Sequence, residues 1–151
     1  MTYGNASQSY GQRNAVDYNI GEELFEMYCD AKGWEFRRIG FDEKHNSVPN
    51  FFKMSKMLRN LPDYVVTKDD LIYIVNVKGT NAIKQSETEI MPGMIKYFSS
   101  DEAPLMYAFC ARGKPIRWCT PSKLMELYDQ QQDRQWSDGK IYRLIPMEGM
   151  A

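Results

Sequence analysis

Histidine and cysteine are scarce in this 151-residue chain. There is one histidine, His45, and three cysteines, Cys29, Cys110 and Cys119, with no CxxC pair among them. Zinc held at the usual Cys/His spacing is therefore not expected. A histidine-based catalytic triad has only His45 to draw on. The simplest reading of the thiols is three free, buried cysteines in a reducing cytoplasm. Long apolar runs are also missing, and none approaches the ~20 residues that span a bilayer. Residues 1–19 carry no apolar stretch of the secretory type and are rich in Gly, Asn, Ser and Gln. They read as a flexible polar tail, and residues 20–151 as one domain without membrane contact. Net charge of one sign is absent too: the total is −1, which by itself announces no polyanion partner.

The distribution of charge says more. Residues 44–62 hold Lys44, Lys53, Lys56 and Arg59 and no acid, and residues 103–123 hold Arg112, Lys114, Arg117 and Lys123 and no acid. Glu22, Glu23, Glu26 and Asp30 gather near residue 25. Local charge steers a polyanion even when the total is near zero, although an ordinary solvated surface accounts equally well for either basic segment alone.

Periodicity predicts a helix over 21–32 stopped by Gly33, with Leu24, Phe25, Tyr28 and Ala31 apolar. A strand at 34–41 and a loop through His45 follow. A short amphipathic helix at 51–59 has Phe51, Met54 and Leu58 on one face and Lys53, Lys56 and Arg59 on another. Then come two strands within 61–80, a helical segment within 89–99, strands in "LMYAFCAR" and "IRWCT", and a helix from Thr120-Pro121 to about residue 130. A last strand, 141–145, follows the Asp138-Gly139 turn. Helices interleaved with strands imply an α/β (α+β) domain with a mixed sheet flanked by helices.

The informative stretch is "LPDYVVTKDDLIYIVNVKGT", residues 61–80. Alternation puts Ile72, Ile74, Asn76 and Lys78 on one face of its second strand. A turn centred on Lys68-Asp69 pairs Val66 with Leu71 and Asp63 with Ile74, so Asp63 shares that face. A one-residue slip would remove it. An Asp, a second oxygen donor and a Lys suit phosphodiester hydrolysis. The oxygens can hold Mg²⁺ or Mn²⁺, and the lysine can orient water or balance charge.

Pro62-Asp63, a hairpin, and Asn76-Val77-Lys78 resemble the PD-(D/E)xK nuclease signature. The resemblance implies a restriction-endonuclease-like core over residues 21–120. It also implies a metal-dependent nuclease acting on DNA ahead of RNA, selective for structure more than sequence, in host cytoplasm if of phage or mobile-element origin. Family members often dimerise, so a homodimer is compatible. The resemblance assigns Asp63, Asn76 and the Val77 carbonyl as metal oxygens and Lys78 to the attacking water. A helix glutamate completes the set, with Glu22 ranked first, Glu26 second and Glu23 last. All three also read as solvated acids near a helix N-terminus.

Asn76 departs from the pattern, which has Asp or Glu there. Three readings stay open. Another acid compensates, either Glu22 or the sequence neighbours Glu87 and Glu89. Or catalysis has been lost and the fold serves as a nucleic-acid- or protein-binding module. Or Asn76 replaces an Asp to inactivate the enzyme. On the nucleic-acid side, Lys53, Lys56 and Arg59 would follow a phosphate backbone, and Lys84 and the hydroxyl of Thr80 would add contacts.

Overall fold

The computed structural model of the chain describes residues 10–39 and 61–151, with side chains in the first stretch described from residue 20. The expected helix at 51–59, with Lys53, Lys56 and Arg59, and the loop through His45 lie outside the described residues.

The first helix, α1 (Tyr10–Lys32), starts well before residue 21, so part of the segment expected as a polar tail has a helical backbone. Nothing from Tyr10 to Lys32 is proline, and Gly33 closes the helix at φ 73°, where only glycine is unstrained. The strands are β1 (Glu35–Arg38), β2 (Tyr64–Lys68), β3 (Leu71–Lys78), β4 (Ala82–Lys84), β5 (Leu105–Phe109), β6 (Arg117–Cys119), β7 (Arg134–Gln135) and β8 (Ile141–Leu144). Two more α-helices follow among the described residues: α2 (Gln85–Phe98), between β4 and β5, and α3 (Pro121–Asp129). The α3 start is as expected: Pro121 opens the helix and the Thr120 hydroxyl accepts from the Lys123 N–H at 3.2 Å.

The main sheet has the order β1-β2-β3-β5-β6. Only β3 and β5 run parallel, and the other neighbours are antiparallel. This is the mixed sheet flanked by helices that the element order implied. A second sheet, β4-β8-β7, was not expected. Its strands of two to four residues are too short to show a period of two.

Alternation along β3 divides the core. Val75 and Val77 point with Tyr64 and Val66 towards Phe25 and Cys29 of α1. On the other side, Tyr107 and Phe109 of β5 pack with Ile83, Met91 of α2 and Leu124 of α3. The buried stripe of α1 is Glu22, Phe25 and Cys29, while Ala31, expected on the apolar side, is exposed. All three cysteines are free and buried. Among the described residues no helix is long and apolar enough to cross a membrane.

Candidate functional site

The β2–β3 register sets the site. The central turn residues are Asp69 and Asp70, with φ 51° and 65°, and Lys68 pairs with Leu71. This corrects the expected Lys68-Asp69 turn and the Val66–Leu71 pair. Positive φ at both central residues is the type I′ two-residue hairpin loop, a conformation that Asp tolerates and Lys resists. The correction moves every pairing by two residues, so each side chain keeps its face. Extended past Tyr64↔Val75, the register sets Asp63 opposite Asn76 instead of Ile74.

Asp63 is 8% exposed. Its Oδ2 accepts from the Val77 N–H at 2.8 Å, its own N–H donates to the Val75 carbonyl at 3.0 Å, and its carbonyl accepts from the Ile39 N–H at 2.8 Å. One carboxylate thus ties the start of β2 to the end of β3. The Val77 side chain is buried towards α1, and the group of Val77 that meets Asp63 is the amide N–H.

Asn76 lies beside Tyr107 of β5 in the parallel register. Burial pushes the Tyr107 phenol pKa up, the Glu87 charge adds to this, an interaction with the Asn76 amide opposes it, and Asp63 raises it further. The Asp63 and Glu87 charges and the Asn76 amide thus all act on the Tyr107 phenol. Lys78, two residues after Asn76 on the same face, donates from Nζ to Glu87 Oε1 at 2.7 Å, with the two side chains 20% and 18% exposed. Glu87 stands in the first turn of α2, where a carboxylate is favoured by the helix dipole. Sequence reasoning named Glu87 only as a neighbour and missed Tyr107. Their signals were helix α2 starting at Gln85, ahead of the expected 89, and the parallel β3–β5 register, which local sequence does not encode.

Glu22 is 2% exposed, and its Oε1 accepts from Arg38 Nη1 at 2.7 Å. Arg38 Nη2 also binds Glu26 Oε2 and the Tyr64 hydroxyl, both at 3.0 Å, and Tyr64 donates to Glu26. Two of the three candidate helix acids thus clasp one arginine on the α1 side of the sheet, and Glu23 is exposed. The neighbouring Gly21 touches the end of β3: a Cβ there would lie 2.7 Å from Gly79 Cα and 2.9 Å from Gly79 N. Helix α1 therefore crosses the β3 exit at backbone contact.

Of the other expected nucleic-acid residues, Thr80 Oγ1 accepts from the Ala82 N–H at 3.1 Å, making a local turn. Asn81 next to it ties to Ile145 in both directions, by Nδ2 to the Ile145 carbonyl and from the Ile145 N–H to its own, each at 2.9 Å. Lys84 ends β4 at the N-terminus of α2, three residues before Glu87.

Among the described residues no group of three or more His, Cys, Asp or Glu side chains stands together as a metal cage. The oxygen donors on the Asn76 face are Asp63, Asn76 and, through its contact with Lys78, Glu87, a hard set of two carboxylates and one amide. That chemistry fits Mg²⁺, which keeps several waters and takes one or two carboxylates, better than a dedicated cage for a softer ion. No known protein-family model matches the chain, and no curated protein sequence is significantly similar to it.

Proposed function

We propose that this chain is a nucleic-acid-binding module on a PD-(D/E)xK-like, restriction-endonuclease-like frame, with DNA as its ligand and the Asp63–Asn76–Lys78–Glu87 face as its phosphate site. The observation that carries this reading is the placing of Asn76 and Lys78 on one face of β3, with Asp63 opposite Asn76 in the extended register and Glu87 of α2 in contact with Lys78. The same observation favours binding without cleavage. Asp63 is committed to the Val77 N–H and Lys78 to Glu87, and the second acid of the motif is the uncharged Asn76. A site with one fewer charged oxygen holds a divalent cation more weakly.

A second reading has its own support, since Glu87 brings a carboxylate to Lys78 from a different element. In that reading Glu87 stands in for the acid missing at position 76, and Asp63, Asn76 and Glu87 would hold Mg²⁺ or Mn²⁺. The ion, when bound, polarises the phosphate and lowers the pKa of water. Lys78 orients the attacking group, and Asp63 keeps the β3 backbone in register beneath it.

The test is a panel of labelled duplex, nicked, branched and single-stranded DNA, with RNA counterparts. Each is assayed for binding in EDTA and for cleavage with Mg²⁺ and with Mn²⁺. Binding that weakens in Lys78→Ala, with no product under either metal, supports the binding module. Metal-dependent product that disappears in Lys78→Ala and in Glu87→Gln establishes the nuclease instead. No binding to any member refutes both. Asn76→Asp separates a trapped enzyme from a silent module, because only the former begins to cleave.

A further inference from the structure

We propose that Glu87 is an internal guard on Lys78, so that Glu87 and a nucleic-acid phosphate compete for the same ammonium. This deepens the phosphate-site reading and rests on it. The contact is short, 2.7 Å between Nζ and Oε1, and about four-fifths of each side chain is withdrawn from solvent. A carboxylate and a phosphate oxygen engage an ammonium by the same charge-assisted N–H···O bond. They therefore occupy equivalent positions, and the negative charge of Glu87 repels a phosphate brought to the same spot.

The competition is asymmetric in its mechanics. Lys78 is the last residue of β3, held by the β5 ladder, with its carbonyl accepting from the Cys110 N–H at 2.8 Å. Glu87 sits in the first turn of α2, and a change of its side-chain rotamer moves its carboxylate without moving the helix. Glu87 yields because the phosphate takes its place on the ammonium, while both backbones stay in their elements. With no ligand, Glu87 cancels the charge of Lys78, so the site offers no free cation to a polyanion among its described residues. With a phosphate present, Glu87 swings away and the lysine is exchanged from one anion to the other.

Anisotropy titrations of a fluorescein-labelled duplex in EDTA test this with five proteins: the parent, Glu87→Gln, Lys78→Gln, the double variant, and Glu89→Gln as a control acid two residues away. Glu87→Gln should bind roughly threefold to tenfold tighter than the parent. Its log-affinity against log-salt slope should stay close to the parent's, because Lys78 holds the same phosphate in both complexes, whereas Lys78→Gln should flatten the slope by about 0.9. Lys78→Gln should weaken binding, and removing Glu87 in that background should tighten it by less than Glu87→Gln tightens the parent, because only repulsion, and no competition for the ammonium, is left to relieve. Glu89→Gln should stay within about twofold of the parent. Glu87→Ala provides a second measure should Glu87→Gln fold poorly. If Lys78→Gln weakens binding but neither Glu87 variant tightens it, the guard is refuted and the phosphate site stands. Equal tightening by Glu89→Gln also refutes it, since the effect is then general charge. If Lys78→Gln leaves affinity unchanged, the phosphate site itself fails and the guard falls with it.

Discussion

Asp63 offers the sharpest separation of architecture from chemistry. Its Oδ2 is the acceptor for the Val77 N–H at 2.8 Å, and Val77 is 4% exposed. Asp63→Ala leaves that buried donor unpaired and removes a charge-assisted bond, a loss of about 2–3 kcal/mol. At ~2–4 °C per kcal/mol for a chain of this length, melting should fall by roughly 4–12 °C. Asp63→Asn keeps an acceptor oxygen in place. Its neutral bond is weaker, but the Val77 N–H keeps a partner. Its net effect should stay below about 1 kcal/mol. The assays are thermal and urea unfolding at pH 7, with amide exchange at Val77 as a local readout: fast in Asp63→Ala, protected in Asp63→Asn. If the two variants melt within about 0.5 kcal/mol of each other, or if Val77 stays protected in both, Asp63 does not anchor β3 and the geometry argued for the site is wrong.

Gly21→Ala should destabilise by roughly 1–3 kcal/mol, because its Cβ would meet Gly79 backbone at 2.7 Å; an unchanged urea midpoint would show that α1 does not sit on the β3 exit. Arg38→Met should cost about 3 kcal/mol or more in equilibrium unfolding, because it strips the 2%-exposed Glu22 of its cationic partner. Glu22→Gln should lower stability and leave unchanged the DNA affinity proposed above, and a selective loss of affinity would place Glu22 in the proposed phosphate site. Burial above all pushes the Cys29 thiol up to about 12 and Cys119 up to about 11 from 9.0, with Asp30 and Glu26 adding to the first and Lys123 opposing the second. A raised folded-state pKa means that the unfolded chain loses its proton first. The stabilisation is complete below pH about 9 and lost as pH climbs towards about 11–12, at up to ~1.4 kcal/mol per pH unit per thiol. Cys29→Ala should flatten the fall in melting temperature over pH 9–11, and an identical fall in both proteins would refute that assignment.

The sequence by itself determined the elements whose signals are local. Gly33 stops α1 and Thr120-Pro121 starts α3, because caps and proline act within one turn of the chain. The period-two pattern of residues 71–78 separated Val75 and Val77 from Asn76 and Lys78, and the structure keeps them on opposite faces. The placing of Asp63 on the Asn76 face survived a misplaced turn because an even shift of register conserves the face.

Tertiary structure decided which groups meet. The pairing of Asp69 and Asp70 in the turn set Asp63 opposite Asn76. The parallel register of β3 and β5, across a connection that includes α2, brought Tyr107 beside Asn76. The start of α2 four residues before Glu89 turned Glu87 towards Lys78, and the position of Arg38 at the end of β1 engaged Glu22. Contacts between groups 9 to 31 residues apart depend on how packed elements align. Side-chain period specifies a face, but only the closing of the sheet specifies the neighbour across it.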